Sequence, residues 1–123
     1  MEPKLEEKVA SIINWMKEKK AENIVSINVA GKSDYTDYLI ICSGSGELHN
    51  RAIADNIKDK AEEHDFGKYA VEGYDNGVWI LMDFIDIIVH IFTEEKRKYY
   101  EIEDIWNINS KRFSEKKEEN GQR

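Results

Sequence analysis

A chain of 123 residues with 25 Asp and Glu against 18 Lys and Arg carries a formal charge of -7, which argues against nucleic acid as the main partner, because phosphate neutralisation needs a concentrated surplus of Lys and Arg. The expected partner is neutral or basic, and the length suits one domain that buries about two thirds of its unfolded surface. No apolar run reaches the ~18 residues of a membrane span, and the charged N-terminal stretch has no signal-peptide apolar region, so a cytoplasmic protein is expected.

Leu5, Val9, Ile12, Ile13 and Met16 recur at helical spacing, with Pro3 near the start, and predict a first amphipathic helix with Trp15 in the core. Residues 24–29 alternate, Val25, Ile27 and Val29 on one side and Ser26 and Asn28 on the other, which predicts a strand covered on one face. After a connection at 30–36, the apolar run 38–42 within 37–43 predicts a central strand buried on both faces and antiparallel to the first. Cys42 lies inside that run and reads as a small core residue; as the single cysteine it forms no intrachain disulfide, and no Cys/His cluster suggests zinc.

Gly44, Ser45 and Gly46 break this strand, and 47–64 predicts a second helix with Leu48, Ala52, Ile53, Ile57 and Ala61 as its apolar stripe. A strand at 68–73 follows, parallel to the preceding one across the helical crossover. Asp75, Asn76 and Gly77 mark a tight turn, 78–83 returns antiparallel, 84–86 turns again, and 87–93 is the last strand. With a short helical segment around 96–105, the expected fold is α/β: a single domain at 1–106 with a mixed five-stranded sheet, two main helices and a short C-terminal helix. Residues 107–123 hold five basic and three acidic residues with little apolar content and are expected to be a disordered charged tail. Without that tail the charge is -9, and positions 69–106 alone hold nine acidic residues against Lys96, Arg97 and Lys98.

Several constellations invite chemistry. Gly44-Ser45-Gly46 between a strand and a helix resembles a phosphate cradle, but lacks the Walker lysine and the dinucleotide spacing; a turn and cap supplied by Ser45 or Gly46 is the favoured reading. Asp83 and Asp86 could share a divalent cation, although carboxylates bracketing a turn more often bond turn N–H groups. His90, between Val89 and Ile91, reads as a packing residue rather than a base, since no Ser or Cys partner is placed by the sequence. Trp79 projects with Leu81 and Asp83 from one face of its strand, and Tyr99, Tyr100 and Trp106 follow among acidic residues. Two readings stay open on pattern alone: a protein-binding face anchored by aromatics, or aromatics that seal the second face of the sheet.

An ordered set of residues carries a resemblance. Lys32-Ser33, Thr36-Asp37, Ile40-Ile41-Cys42-Ser43-Gly44 and Ala52-Ile53-Ala54-Asp55 are followed by Glu72-Gly73, Trp79-Ile80-Leu81-Met82-Asp83, Asp86-Ile87-Ile88-Val89-His90-Ile91-Phe92, Arg97, Tyr99-Tyr100, Glu103 and Trp106. From Val9 to Trp106 this resembles the ribosome silencing factor, or Iojap-related, family. The resemblance implies a nucleotidyltransferase-like fold without the transferases' catalytic pattern, because Gly44-Ser45 is followed at their spacing only by the helical Asp55 and Asp59. It implies a non-enzymatic role with no cofactor: binding the large ribosomal subunit at large-subunit ribosomal protein fourteen, sterically blocking small-subunit joining, and so repressing translation in starvation or stationary phase. Trp79, Asp83, Phe84, His90, Arg97, Tyr99 and Tyr100 match the family's characteristic residues and are expected to form or brace the partner-binding surface.

This chain departs from the family at Ile85, where a glycine is usual, so its turn cannot rely on glycine's freedom at positive φ, and at Gly46, Leu48 and Asn50 at the start of the second helix. The alternative reading is a magnesium-dependent nucleotidyltransferase or nucleotide-binding enzyme that uses Gly44, Ser45, Asp83 and Asp86. A third is a homodimer formed through an exposed sheet edge.

Overall fold

The computed structural model describes residues 4–100 and 110–113, with side chains described through Lys98. Helix α1, Leu5–Glu18, buries Val9, Ile12, Ile13, Trp15 and Met16 on one face, as their spacing requires. Strand β1, Glu22–Asn28, pairs antiparallel with β2, Tyr38–Gly44. Helix α2, Glu47–Glu63, precedes β3, Ala70–Glu72, β4, Trp79–Asp83, and β5, Ile87–Thr93. Helix α3, Glu94–Tyr100, follows β5 directly, and the rest of the expected C-terminal helical segment lies outside the described residues.

The five expected strands all form, in one mixed sheet. A sixth, β6, Ser110–Phe113, adds antiparallel to the outer edge of β1. That strand comes from the segment expected to be a disordered tail; 107–109 and 114–123 lie outside the described residues. Its four residues carry Lys111 and Arg112 and no alternating apolar pattern, and the pairing is made through the backbone along an edge that β1 leaves open.

Strand order is β3-β4-β5-β2-β1-β6. The centre is the parallel pair β2 and β5, with Tyr38 opposite Ile87 and Gly44 opposite Thr93. Strands β4 and β3 add antiparallel on the far side of β5. The crossover through α2 therefore delivers β3 in the same direction as β2, as expected, but with β4 and β5 lying between them. Alternation specifies which face a residue occupies and leaves the neighbour open.

Alternation also divides the core. Ile24, Ile40, Cys42, Ile80, Met82, Ile87, Val89 and Ile91 meet the buried stripes of α1 and α2 on one face of the sheet. The opposite face carries Val25, Ile27, Val29, Leu39, Ile41 and Phe92, with Trp79 and Ile88 packed beside them. Burial pushes the Cys42 thiol up to about 12, so it is an inert core group as expected.

The turn between β4 and β5 departs from the stereochemical expectation. Ile85 takes the positive φ that a glycine would supply, at 79°. The Asp86 N–H reaches back to the Phe84 carbonyl at 3.0 Å, which makes a γ-turn of the rarer, strained form. A β-branched residue held this way costs on the order of 1–3 kcal/mol.

Candidate functional site

The sequence-predicted binding residues separate by depth. Trp79 opens β4 on the face away from α1 and α2, half-buried, and stacks on Phe92 with centroids 5.1 Å apart and planes at 24°. Its register partner across the ladder is that same Phe92, and Leu81 lies opposite His90. The Trp79 indole N–H donates to His90 Nδ1 at 3.0 Å. His90 must therefore keep Nδ1 unprotonated, and burial lowers its pKa to about 4, so the ring is a neutral acceptor. Trp79 thus both seals the second face and shows part of its surface to solvent.

Asp83, half-exposed, projects from the same face, and its Oδ1 accepts the Ile85 N–H at 2.8 Å. Phe84 is only 3% exposed and packs on the helical side against Phe66 and Tyr69. Arg97 is buried too, its Nη1 donating to Ser43 Oγ at 2.9 Å, which pins α3 over the end of β2. Phe84, His90 and Arg97 can thus brace a surface from beneath, whereas Trp79 and Asp83 can touch a partner. Tyr99 belongs to α3, as does Tyr100, and their side chains lie outside the described residues.

What the second face displays over β3, β4 and β5 is a patch of half-buried Trp79, Leu81 and Ile88 beside exposed Ala70, with Asp83 and Glu72 at its margin. Leu81 was legible from its alternation with Trp79. Ile88 is in step with His90, so the same period of two could have found it.

The residues of the enzymatic alternative do not converge. Gly44 pairs with Thr93 at one end of β5, while Asp83 and Asp86 flank the hairpin at the other end, a separation of about 20 Å along the strand. Asp83 shares the face of Trp79, whereas the Asp86 Oδ2 faces Lys8 Nζ of α1 at 3.7 Å. The glycine segment is engaged by the start of α2. Gly46 supplies the first carbonyl of α2 to the Asn50 N–H, without a side-chain cap, and the Ser45 N–H donates to His49 Nδ1 at 2.8 Å. Among the described residues, no group of three or more His, Cys, Asp or Glu could hold a metal ion.

Asn50, which the sequence marks only as a departure at the helix start, is wholly buried and donates to the Gly77 carbonyl at 2.7 Å. It ties α2 to the β3–β4 loop. Elsewhere, an open cavity of about 390 Å³ lies between α2 and β3, lined by Ala54, Asp55, Lys58, Tyr69, Val71, Tyr74 and Met82. Its two phenols donate to helix carboxylates, Tyr69 to Glu62 at 2.6 Å and Tyr74 to Asp55 at 2.9 Å. Burial first, and then Glu62, push Tyr69 up to about 12. Among the described residues, none of Trp79, Asp83, Phe84, His90 and Arg97 lines this cavity.

The model of the family described as "Ribosomal silencing factor during starvation" matches residues 2–123. The "Ribosomal silencing factor RsfS" of Bacillus subtilis is 38% identical to the chain over 72% of it and 75% of that protein. The protein of the same name from Halalkalibacterium halodurans is 37% identical over 76% of this chain and 80% of its own length. A crystal structure from Bacillus halodurans superposes with a TM-score of 0.74 at 36% identity, covering 82% of this chain and 94% of that one. The match of the family model along nearly the whole chain, together with these relatives, leads to one assignment: the chain belongs to the ribosomal silencing factor family.

Proposed function

We propose that the chain represses translation in starvation or stationary phase by docking on the large ribosomal subunit, at large-subunit ribosomal protein fourteen, where it sterically prevents the small subunit from joining. It acts in the cytoplasm, and no catalysis is required. The observation that carries the reading is the patch of Trp79, Leu81 and Ile88 with Asp83 and Glu72 on a face that no helix of the α1–α2 layer covers. Family membership supports the ribosome as target, and the chemistry of the patch suits a basic protein with an apolar contact area. Trp79 is pre-positioned by Phe92 and His90, so little side-chain freedom is lost on docking.

Sedimentation through sucrose gradients tests this. The wild-type protein is expected with free large subunits and absent from joined ribosomes. Trp79→Ala is expected to weaken that association by about 2 kcal/mol or more, roughly 30-fold. Because the indole also packs on Phe92, thermal melting must show that the variant stays folded. A folded Trp79→Ala protein that binds like wild type removes Trp79 as an anchor. Conversely, magnesium-dependent turnover of a nucleoside triphosphate that Asp83→Asn abolishes would overturn the proposal in favour of an enzyme.

A further inference from the structure

The tip of the β4–β5 hairpin holds a large apolar side chain where the backbone is strained and the side chain gains little burial. Ile85 is 69% exposed at φ 79°. Hydrogen bonds fix the turn around it: Asp83 Oδ1 takes the Ile85 N–H, and the Phe84 N–H donates to the Ile87 carbonyl at 2.8 Å. The Asp86 carbonyl accepts the N–H groups of Asp37 and Tyr38 at 3.1 and 3.2 Å, and Phe84 anchors the turn in the core. The isoleucine is therefore held outward on a clamped turn. The fold would be served better there by a residue that tolerates positive φ, since the mostly exposed side chain gains little burial in return.

The surroundings indicate what it could meet. The connection bonded to Asp86 also presents Tyr35, 85% exposed, so two of the three large apolar side chains exposed on the described surface sit at this end of the sheet. Between and beside them lie Asp34, Asp37 and Asp83, with exposed Lys32 as the nearest counterweight in sequence, while the Asp86 carboxylate turns inward to Lys8 of α1. Asp83 links the tip to the face of Trp79, making the two surfaces continuous.

We infer that Ile85 is a contact residue for a basic protein surface with an apolar socket, and that the strained turn holds it out at the rim of the docking face. This rests on the docking proposal above and extends it to the hairpin tip. Charge complementarity and continuity with that face identify the occupant as a basic protein of the large subunit.

The test compares wild type with Ile85→Gly, Ile85→Asn and Ile85→Leu in two measurements, melting temperature and affinity for purified large ribosomal subunits. Relief of strain is expected to raise the melting temperature of the Gly and Asn variants by about 2–4 °C, while subunit affinity drops about tenfold. Ile85→Leu keeps the apolar contact and is expected to bind within about threefold of wild type. Opposite signs in stability and binding are what a purely structural residue would not produce. Subunit binding by the Gly and Asn variants at wild-type affinity overturns the inference alone. So does a wild-type dimer that Ile85→Gly dissociates with subunit binding unchanged, since the side chain would then serve self-association. A wild-type chain that does not bind large subunits overturns the docking proposal, and this inference with it.

Discussion

His90 is held neutral by its burial, and the Trp79 N–H bond depends on that state. Its folded pKa of about 4 lies below the ordinary 6.5, so the unfolded chain takes up the proton first as pH falls. The contribution is thus fully present above about pH 6.5 and is lost progressively down to about pH 4, amounting to roughly 3 kcal/mol. Urea denaturation at about pH 7.5, 6 and 5 is expected to show this loss, and His90→Gln to flatten the profile over that window. An unchanged slope in the variant would assign the acid sensitivity to other groups. The pairing of His90 with Trp79 was only half legible in the sequence. A period of two puts both residues on one face, but register alone makes them neighbours, and register is not written in either strand. The depth of Phe84 was hidden because it follows the end of β4, where alternation no longer says which side a side chain takes, and that of Arg97 because it stands among charged residues of a short helix with no apolar stripe to mark its buried side.

At the scale of elements, the loop joining β3 to β4 is tied to the start of α2. Gly77, at φ 83°, leaves no room for a side chain, since a methyl there would lie 2.7 Å from Glu47 Cβ. Asn50 bonds the Gly77 carbonyl, and the Arg51 guanidinium donates to the Asp75 carbonyl at 3.0 Å. Gly77→Ala is expected to destabilise the protein by about 2 kcal/mol or more, through both the positive φ and the collision. Chemical denaturation measures this, and a loss under about 0.5 kcal/mol would mean that the loop can move off α2 at little cost. The turn itself was legible from Asp75, Asn76 and Gly77, and β5 was legible to its ends because an apolar run bounded by turn residues leaves little choice. The strand order was not, because insertion of β5 beside β2 depends on contacts between residues far apart in the chain. Nor was β6, whose Lys and Arg read as solvated charge.

For the whole molecule, the α1–α2 layer covers one face of the sheet, and the proposed docking surface is the acidic, aromatic half of the other. If a basic protein docks there, its approach is steered by charge, and the contact is then held by Trp79 and its apolar neighbours. Raising salt from about 50 to 500 mM is expected to slow association with large subunits about tenfold or more while changing dissociation far less. Stopped-flow or surface-capture kinetics separate the two rates. An association rate indifferent to salt would remove steering from the account and leave apolar contact alone.

The parallel pairing of β2 with β5 has a further consequence for how the molecule comes to exist. Residues 38–44 pair with β1 along one edge, but their other edge finds its partner in 87–93, so during synthesis β2 waits with that edge open while α2, β3 and β4 are made. Closing so long a loop is slow, and the waiting edge is exposed to wrong pairings. A nascent chain halted before residue 87 has the helical layer and the β1–β2 pair but no sheet centre on which to assemble. A protein proposed to govern ribosomes thus completes its own core only after nearly the entire domain has left one.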